Sequence, residues 1–238
     1  MNDSSQRPKR VAAVTGASRG LGAAFARVLS QESLAVVLGA RDLASIERLA
    51  SELPGPALPV RLDVTDPESV EGFRRAALER FGRLDVLVNN AGIGVFRRLE
   101  ETSREDFEAT FRVNVEGVWA VTVAFLPALR ESRGLVLMVS SDVSTRTFPT
   151  GGSYAASKFA LRALTRTFQQ ENPELRVLEL RPGAVDTWFA GSTPGAPGKD
   201  WFLQPEVVGE AVRFALRLPP GARVEEIVLR SVSQSPEY

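Results

Sequence analysis

Short apolar runs alternate along the chain with longer stretches whose apolar positions recur at helical spacing. Val11–Thr15 reads as a buried strand, followed by a glycine turn and an amphipathic helix over Leu21–Ser30. The pattern then repeats: strand Leu34–Gly39 and helix Leu43–Leu53, strand Ala57–Leu62 and helix Pro67–Phe81, the last with proline in its first turn. Strand Leu84–Asn89 precedes one long helix within Arg104–Arg130, and strand Leu135–Ser140 precedes a helix from about Ser153 to Gln170. Strand Leu175–Leu180, helix Pro205–Leu216 and strand Val224–Arg230 complete the series. Continuous Val/Leu-rich strands alternating with helices predict an α/β fold, a seven-stranded parallel sheet covered on both faces. There is no internal repeat. Ala190–Lys199, rich in Gly and Pro, reads as a mobile loop beyond a strand end, where open α/β sheets bind ligands.

The chain has 238 residues, enough for one large domain, expected over 10–238 behind a polar, flexible tail at 1–9. Lys+Arg and Asp+Glu balance at 29 each, which leaves no electrostatic footprint for nucleic acid or a membrane surface. No uninterrupted apolar run approaches a membrane span, and Met1 to Arg10 lacks the apolar core of a secretory signal. Zero cysteine excludes disulfides and thiol nucleophiles, and suits an expected cytoplasmic location. Zero histidine excludes a Ser-His-Asp triad and histidine-ligated zinc. No dense acidic cluster argues for a metal.

The usual proton carriers at neutral pH are therefore absent, which directs attention to Tyr154 and Lys158. Four residues apart in a helical stretch, they share one face, so an ammonium is expected beside a phenol. A nearby cation favours the phenolate and would lower the phenol's pKa, making tyrosine usable as an acid or base. Such pairs also occur as plain surface decoration. A second candidate is the turn Thr15-Gly16-Ala17-Ser18-Arg19-Gly20-Leu21-Gly22, at the first strand-to-helix junction. Glycines there permit a tight turn and close approach to a pyrophosphate, and the helix N-terminus supplies N–H groups. Its Gly-x3-Gly-x-Gly spacing differs from Gly-x-Gly-x-x-Gly, and no Lys-Ser/Thr follows to make a GxxxxGK[ST] loop.

These motifs together resemble the short-chain dehydrogenases/reductases. The glycine turn matches that family's cofactor motif, Asn89-Asn90-Ala91-Gly92 its next landmark, and Tyr154-x3-Lys158 its active-site motif. Ser141 stands 13 residues before the tyrosine, Asn114 lies in the long helix, and Arg181-Pro182-Gly183-Ala184-Val185-Asp186-Thr187 matches the segment after the sixth strand. The resemblance implies a Rossmann-like, doubly wound fold. It also implies Tyr154 as acid/base, Lys158 as the residue tuning it and binding the nicotinamide ribose, and Ser141, rather than neighbouring Ser140, polarising the substrate carbonyl. Asn114 would position a water linking Lys158 to solvent. Gly16, Ser18, Arg19, Gly20, Leu21 and Gly22 would hold the cofactor's phosphates. Asp63 and Val64 would touch adenine, and Asn89, Ala91 and Gly92 would line the adenosine and ribose side, with Asn90 bracing strands. Pro182 and Gly183 belong to the cofactor-binding segment, and Val185 and Thr187 would contact the carboxamide.

The residue pair ending the second strand selects the cofactor. NAD-selective relatives place an acid there for the ribose 2′-OH, whereas this chain reads Ala40-Arg41-Asp42. The guanidinium of Arg41, with Arg19 as a second clamp, suits a 2′-phosphate and favours NADP(H) over NAD(H). The expected function is interconversion of a small-molecule carbonyl and a secondary alcohol. The runner-up is a catalytically silent dinucleotide sensor or scaffold, whose like usually lose the tyrosine or lysine. The longer epimerase and dehydratase branch is disfavoured because only about 50 residues follow Thr187. Among reductases the natural comparison is with 3-oxoacyl-carrier-protein reductases. The ending over Ala222–Arg230 looks more like the subgroup acting on 3-hydroxy acids, serine and assorted carbonyls. Trp188, Phe189, Trp201 and Phe202 on the 188–202 loop either close over the substrate, with Phe96 and Val143–Phe148 as the other wall, or pack on the core or face a partner subunit. The resemblance also implies a homodimer or homotetramer, with Phe111, Val115, Trp119, Phe159 and Phe168 as candidates for either the interface or the core.

Overall fold

The computed structural model describes residues 8, 10–219 and 221–234; the expected tail at 1–9 lies, apart from Pro8, outside the described residues. Seven strands form one sheet: β1 (Val11–Thr15), β2 (Ala35–Ala40), β3 (Ala57–Arg61), β4 (Val86–Asn89), β5 (Leu135–Val139), β6 (Arg176–Pro182) and β7 (Glu226–Leu229). Their order is β3-β2-β1-β4-β5-β6-β7, and every pairing is parallel. This is the doubly wound arrangement, with its order reversing between β1 and β4.

Side chains alternate across each strand, so two core layers arise from one set of strands. Val14, Leu38, Val88 and Leu137 face one way, onto α1 (Gly20–Gln31), α2 (Leu43–Glu52) and α7 (Pro205–Arg217). Val11, Val37, Leu87 and Val136 face the other. They meet Phe73 of α3 (Pro67–Phe81), Phe125 of α5 (Val118–Ser132) and Leu161 of α6 (Gly152–Glu171). Full burial of both faces explains why the strands read as unbroken apolar runs rather than alternating ones.

The long helix expected within Arg104–Arg130 is not one regular helix. It runs as α4 (Arg104–Phe111), a π-helical turn over Arg112–Gly117, and α5. The π turn holds Asn114, whose amide bonds a neighbouring loop, and such interruptions occur mostly where a helix serves a site. Taken whole, Arg104–Ser132 is long and apolar enough to cross a membrane by length and composition. Here Val121, Phe125 and Leu129 of that run pack into the core. Of the expected interface candidates, Trp119 and Phe159 are exposed, whereas Phe168 packs against the core.

Candidate active site

The chain reversal between β1 and β4 leaves a cleft of about 1130 Å³ at the carboxyl ends of the strands. Its floor is the glycine turn. Gly16 has φ +65°, and a Cβ there would sit 2.9 Å from the Ala91 backbone, so no side chain fits. Asn90 braces the turn, its amide donating to the carbonyls of Thr15 (2.9 Å) and Gly16 (3.1 Å). Gly16, Ser18, Arg19, Gly20 and Leu21 line the cleft. Gly22 does not. Any side chain on it would run into the Gly16 carbonyl, so its role is to let α1 pack beneath the turn.

Arg41, Asp63, Val64, Ala91 and Gly92 line the far end, joined by Arg48 and Thr65. Asp63 accepts from Thr65 N (3.0 Å) and Oγ1 (2.7 Å), and these bonds hold its carboxyl below the usual carboxylate range. Asp42 caps α2 by accepting from Ser45 N at 3.2 Å. The expectation for Asn89 is corrected. Its side chain is buried away from the cleft and donates to Thr122 Oγ1 (2.8 Å), because strand alternation turns it toward α5.

At the other end stand Ser141, Tyr154 and Lys158, with Pro182, Gly183, Val185 and Thr187. Ser141 follows β5 and starts a short 3₁₀ turn, its Oγ accepting from Val143 N. The Tyr154 phenol lies beside Ser141, whose hydroxyl favours its ionised form. Lys158 Nζ donates to the Val139 carbonyl (3.0 Å) and lies 5.7 Å from the Tyr154 ring centre. Asn114 is fully buried and does not line the cleft. It accepts from Ile93 N (2.8 Å) and donates to Ile93 O (2.9 Å) and Ser157 Oγ (3.0 Å). Ser157 in turn donates to the Tyr154 carbonyl. Asn114 thus ties the loop beside Gly92 to the helix carrying Tyr154, and none of these bonds reaches Lys158.

The electrostatics depart from the sequence expectation. Burial pushes the Tyr154 phenol up to about 12, outweighing the Ser141 hydroxyl that lowers it, and Asp142 adds to the rise. Burial also brings Lys158 down from 10.5 to about 8, against the opposing pull of Glu179. A cation that is itself so desolvated does not draw the phenol toward neutrality.

The Lys158 shift makes a stability prediction. The unfolded chain binds this proton below 10.5 and the folded chain only below about 8, so stability falls as pH falls through that window. The shift corresponds to about 3 kcal/mol. We expect the unfolding free energy of Lys158→Met, relative to the native chain, to fall by about that amount between pH 7 and pH 10.5. Urea unfolding at the two pH values measures it, and a pH-independent difference contradicts it. Tyr154 is common to both proteins, and the stability it adds is lost only as pH rises from 10 through about 12.

Several further residues complete the site, and of these Gln234 carries no local sequence signal. Arg181 is buried and donates to the carbonyls of Ser141 (3.3 Å) and Asp142 (3.2 Å). Gln234 donates to Asp142 Oδ2 (2.8 Å) and accepts from Ala184 N (3.2 Å), joining the Ser141 loop to the turn after β6. Ser140 lines the cleft with a buried Oγ that has no protein partner. The 188–202 loop divides. Trp188 and Phe189 line the cleft, whereas Trp201 and Phe202 pack on each other at 4.5 Å outside it.

A Cβ-excluding glycine turn at a helix N-terminus, an arginine-bearing far end and an orphan hydroxyl in the wall fit a dinucleotide. The comparisons agree. The chain matches the short chain dehydrogenase family over residues 10–195. A solved alcohol dehydrogenase from the archaeon Thermococcus sibiricus, complexed with 5-hydroxy-NADP, is 52% identical, with a TM-score of 0.94 and coverage of 96% of this chain and 99% of that one. A 3-ketoacyl-(acyl-carrier-protein) reductase from Brucella melitensis, complexed with NADH, is 30% identical, with a TM-score of 0.86 and coverage of 94% and 97%. Glycine betaine reductase ATRR of Emericella nidulans is 36% identical over 92% of this chain, which spans only 18% of that larger protein. The chain belongs to the short-chain dehydrogenase/reductase family, as an oxidoreductase of CH–OH groups that works with a nicotinamide dinucleotide.

Proposed function

We propose that the chain interconverts a carbonyl and a secondary alcohol with NADP(H), Tyr154 serving as the acid/base. The observation that carries this reading is that Ser141, Tyr154 and Lys158 line one cleft together with the glycine turn. The bound cofactor supplies or accepts the hydride. Ser141 hydrogen-bonds the substrate oxygen and stabilises charge developing there. Tyr154 passes the proton to that oxygen, and its elevated pKa keeps it protonated at neutral pH, the form that carbonyl reduction requires. Lys158, anchored on the Val139 carbonyl, holds its ammonium beside the ring. Asn114 and Ser157 fix the backbone on both sides. The test is an NADPH-oxidation screen over ketones, aldehydes, 3-oxoacyl thioesters and quinones; no turnover of any of them sinks the reading.

The preference for NADP(H) rests on the far end of the cleft, where Arg19, Arg41 and Arg48 gather and the acid nearest the strand end, Asp42, is engaged as a helix cap. Arg41→Ala is expected to weaken NADPH binding by roughly tenfold or more, the loss of a charge-assisted hydrogen bond. NADH binding should change little. Titration of both cofactors by fluorescence decides it, and equal losses contradict the assignment. We further propose assembly as a homodimer or homotetramer through the face bearing Trp119 and Phe159, which light scattering of the native chain tests.

A further inference from the structure

Tyr154 and Phe189, which line the reacting end of the cleft, belong to a cluster of aromatic rings whose other members, Phe96 and Phe148, pack behind them. Phe96 is their hub, packing edge-on against Phe148 (5.5 Å) and Tyr154 (5.5 Å) and tilted against Phe189 (6.3 Å). Phe189 also meets Tyr154 at 5.5 Å. Two glycines seat these rings. A Cβ on Gly94 would lie 2.6 Å from Phe189, and one on Gly151 would collide with Phe148. The walls are stitched together, since Arg97 pairs with Gly151 as an isolated bridge and its N–H donates to the Thr150 carbonyl at 2.8 Å. Trp188, which lines the cleft, and Phe96, packed on the lining rings Tyr154 and Phe189, remain 46% and 44% exposed, a partly open apolar rim beside the cleft.

Charge is distributed unevenly along the same cleft. The arginines lining it, Arg19, Arg41, Arg48 and Arg112, belong to the glycine turn, the second strand-to-helix unit and the π turn. Around Tyr154 the cations are already engaged. Lys158 bonds the Val139 carbonyl, Arg146 pairs with Asp142, and Lys199 pairs with Asp186 while donating to the carbonyls of Thr187 and Thr193. A substrate carboxylate placed there would lose its hydration and find no available counter-ion among these groups.

Building on the proposed carbonyl reductase activity, we infer that the substrate is an uncharged ketone carrying an aryl ring beside the carbonyl, and not a 3-oxo or 3-hydroxy acid. The aryl ring joins the Phe96, Phe148 and Phe189 cluster through the same edge-to-face contacts the rings make with one another. Its carbonyl oxygen meets Ser141 and Tyr154. In the forward step the carbonyl carbon gains a hydride, hence two electrons, from NADPH. The oxygen gains one proton from Tyr154, which solvent replaces, and the products are the secondary alcohol and NADP⁺.

The experiment compares kcat/KM for acetophenone and acetoacetate under saturating NADPH, in the native chain, Phe96→Ala and Phe96→Leu. Acetophenone is expected to lead by at least tenfold in the native chain. The lead should shrink severalfold in Phe96→Ala, chiefly through KM, and by less in Phe96→Leu, which keeps bulk without a ring. NADPH affinity and the melting transition report whether each variant is folded. An equal or reversed preference, or a ratio unchanged in a folded variant, overturns the inference while leaving the reductase reading intact. Absence of turnover with every carbonyl, with NADPH still bound, overturns that reading and this inference with it.

Discussion

Tyr154→Phe should lower kcat for carbonyl reduction by roughly 10²–10⁴-fold, the usual contribution of a positioned proton donor. The substitution removes one oxygen and keeps the ring, so contacts with Phe96 and Phe189 persist and the fold should hold. The phenol's interaction with the neighbouring Ser141 hydroxyl is lost, but Ser141 keeps its bonds with Val143 N and Asp142. With no histidine or cysteine in the chain, the remaining proton carrier at this end is Lys158, whose ammonium is held on the Val139 carbonyl. Cofactor affinity measured alongside separates the proton step from binding, and undiminished turnover in a folded variant removes the mechanism.

The largest stability effect is expected at Glu179. It lies on β6, fully buried, and its carboxylate takes Arg162 Nη1 at 2.6 Å and Ser144 Oγ at 3.3 Å, with Arg166 at 3.8 Å. Glu226 shares both arginines and also binds Arg181. Removing one partner of a buried ionic network leaves charge uncompensated, at a cost of about 3–5 kcal/mol. Because Glu226 retains the arginines, Glu179→Ala should fall near the lower figure, a drop in Tm of roughly 6–12 °C for a chain of this size. Differential scanning calorimetry tests this. A shift of roughly 1 °C or less would mean that Glu226 alone satisfies the cluster. The site should respond as well, since Glu179 is the charge opposing the fall in Lys158's pKa.

The fold was legible because burial on both faces forces long apolar strands, which survive as a signal in one dimension. Predicted and observed elements differ mainly at their ends, as with the last strand, expected over Val224–Arg230 and found as Glu226–Leu229. The π turn at Asn114 was not legible. It coincides with the bonds of Asn114 to Ile93, 21 positions away, which helical periodicity does not record. Asn89 shows the complementary failure. It occupies the expected motif position, yet one step of strand alternation points its amide into the protein rather than the cleft.

The sequence by itself determined the parallel sheet, the glycine turn, the absence of histidine and cysteine chemistry, and the placing of Tyr154 and Lys158 on one helical face. All of these follow from local spacing or composition. Only the tertiary structure decided the protonation of that pair, because desolvation depends on what covers a group. The expected lowering of the tyrosine became a rise to about 12, and Lys158 fell to about 8. Tertiary structure also brought Arg181 and Gln234 behind Ser141 and gathered Phe96, Phe148 and Phe189 around the phenol. Those residues come from separate loops, and only packing of the sheet's carboxyl edge makes them neighbours.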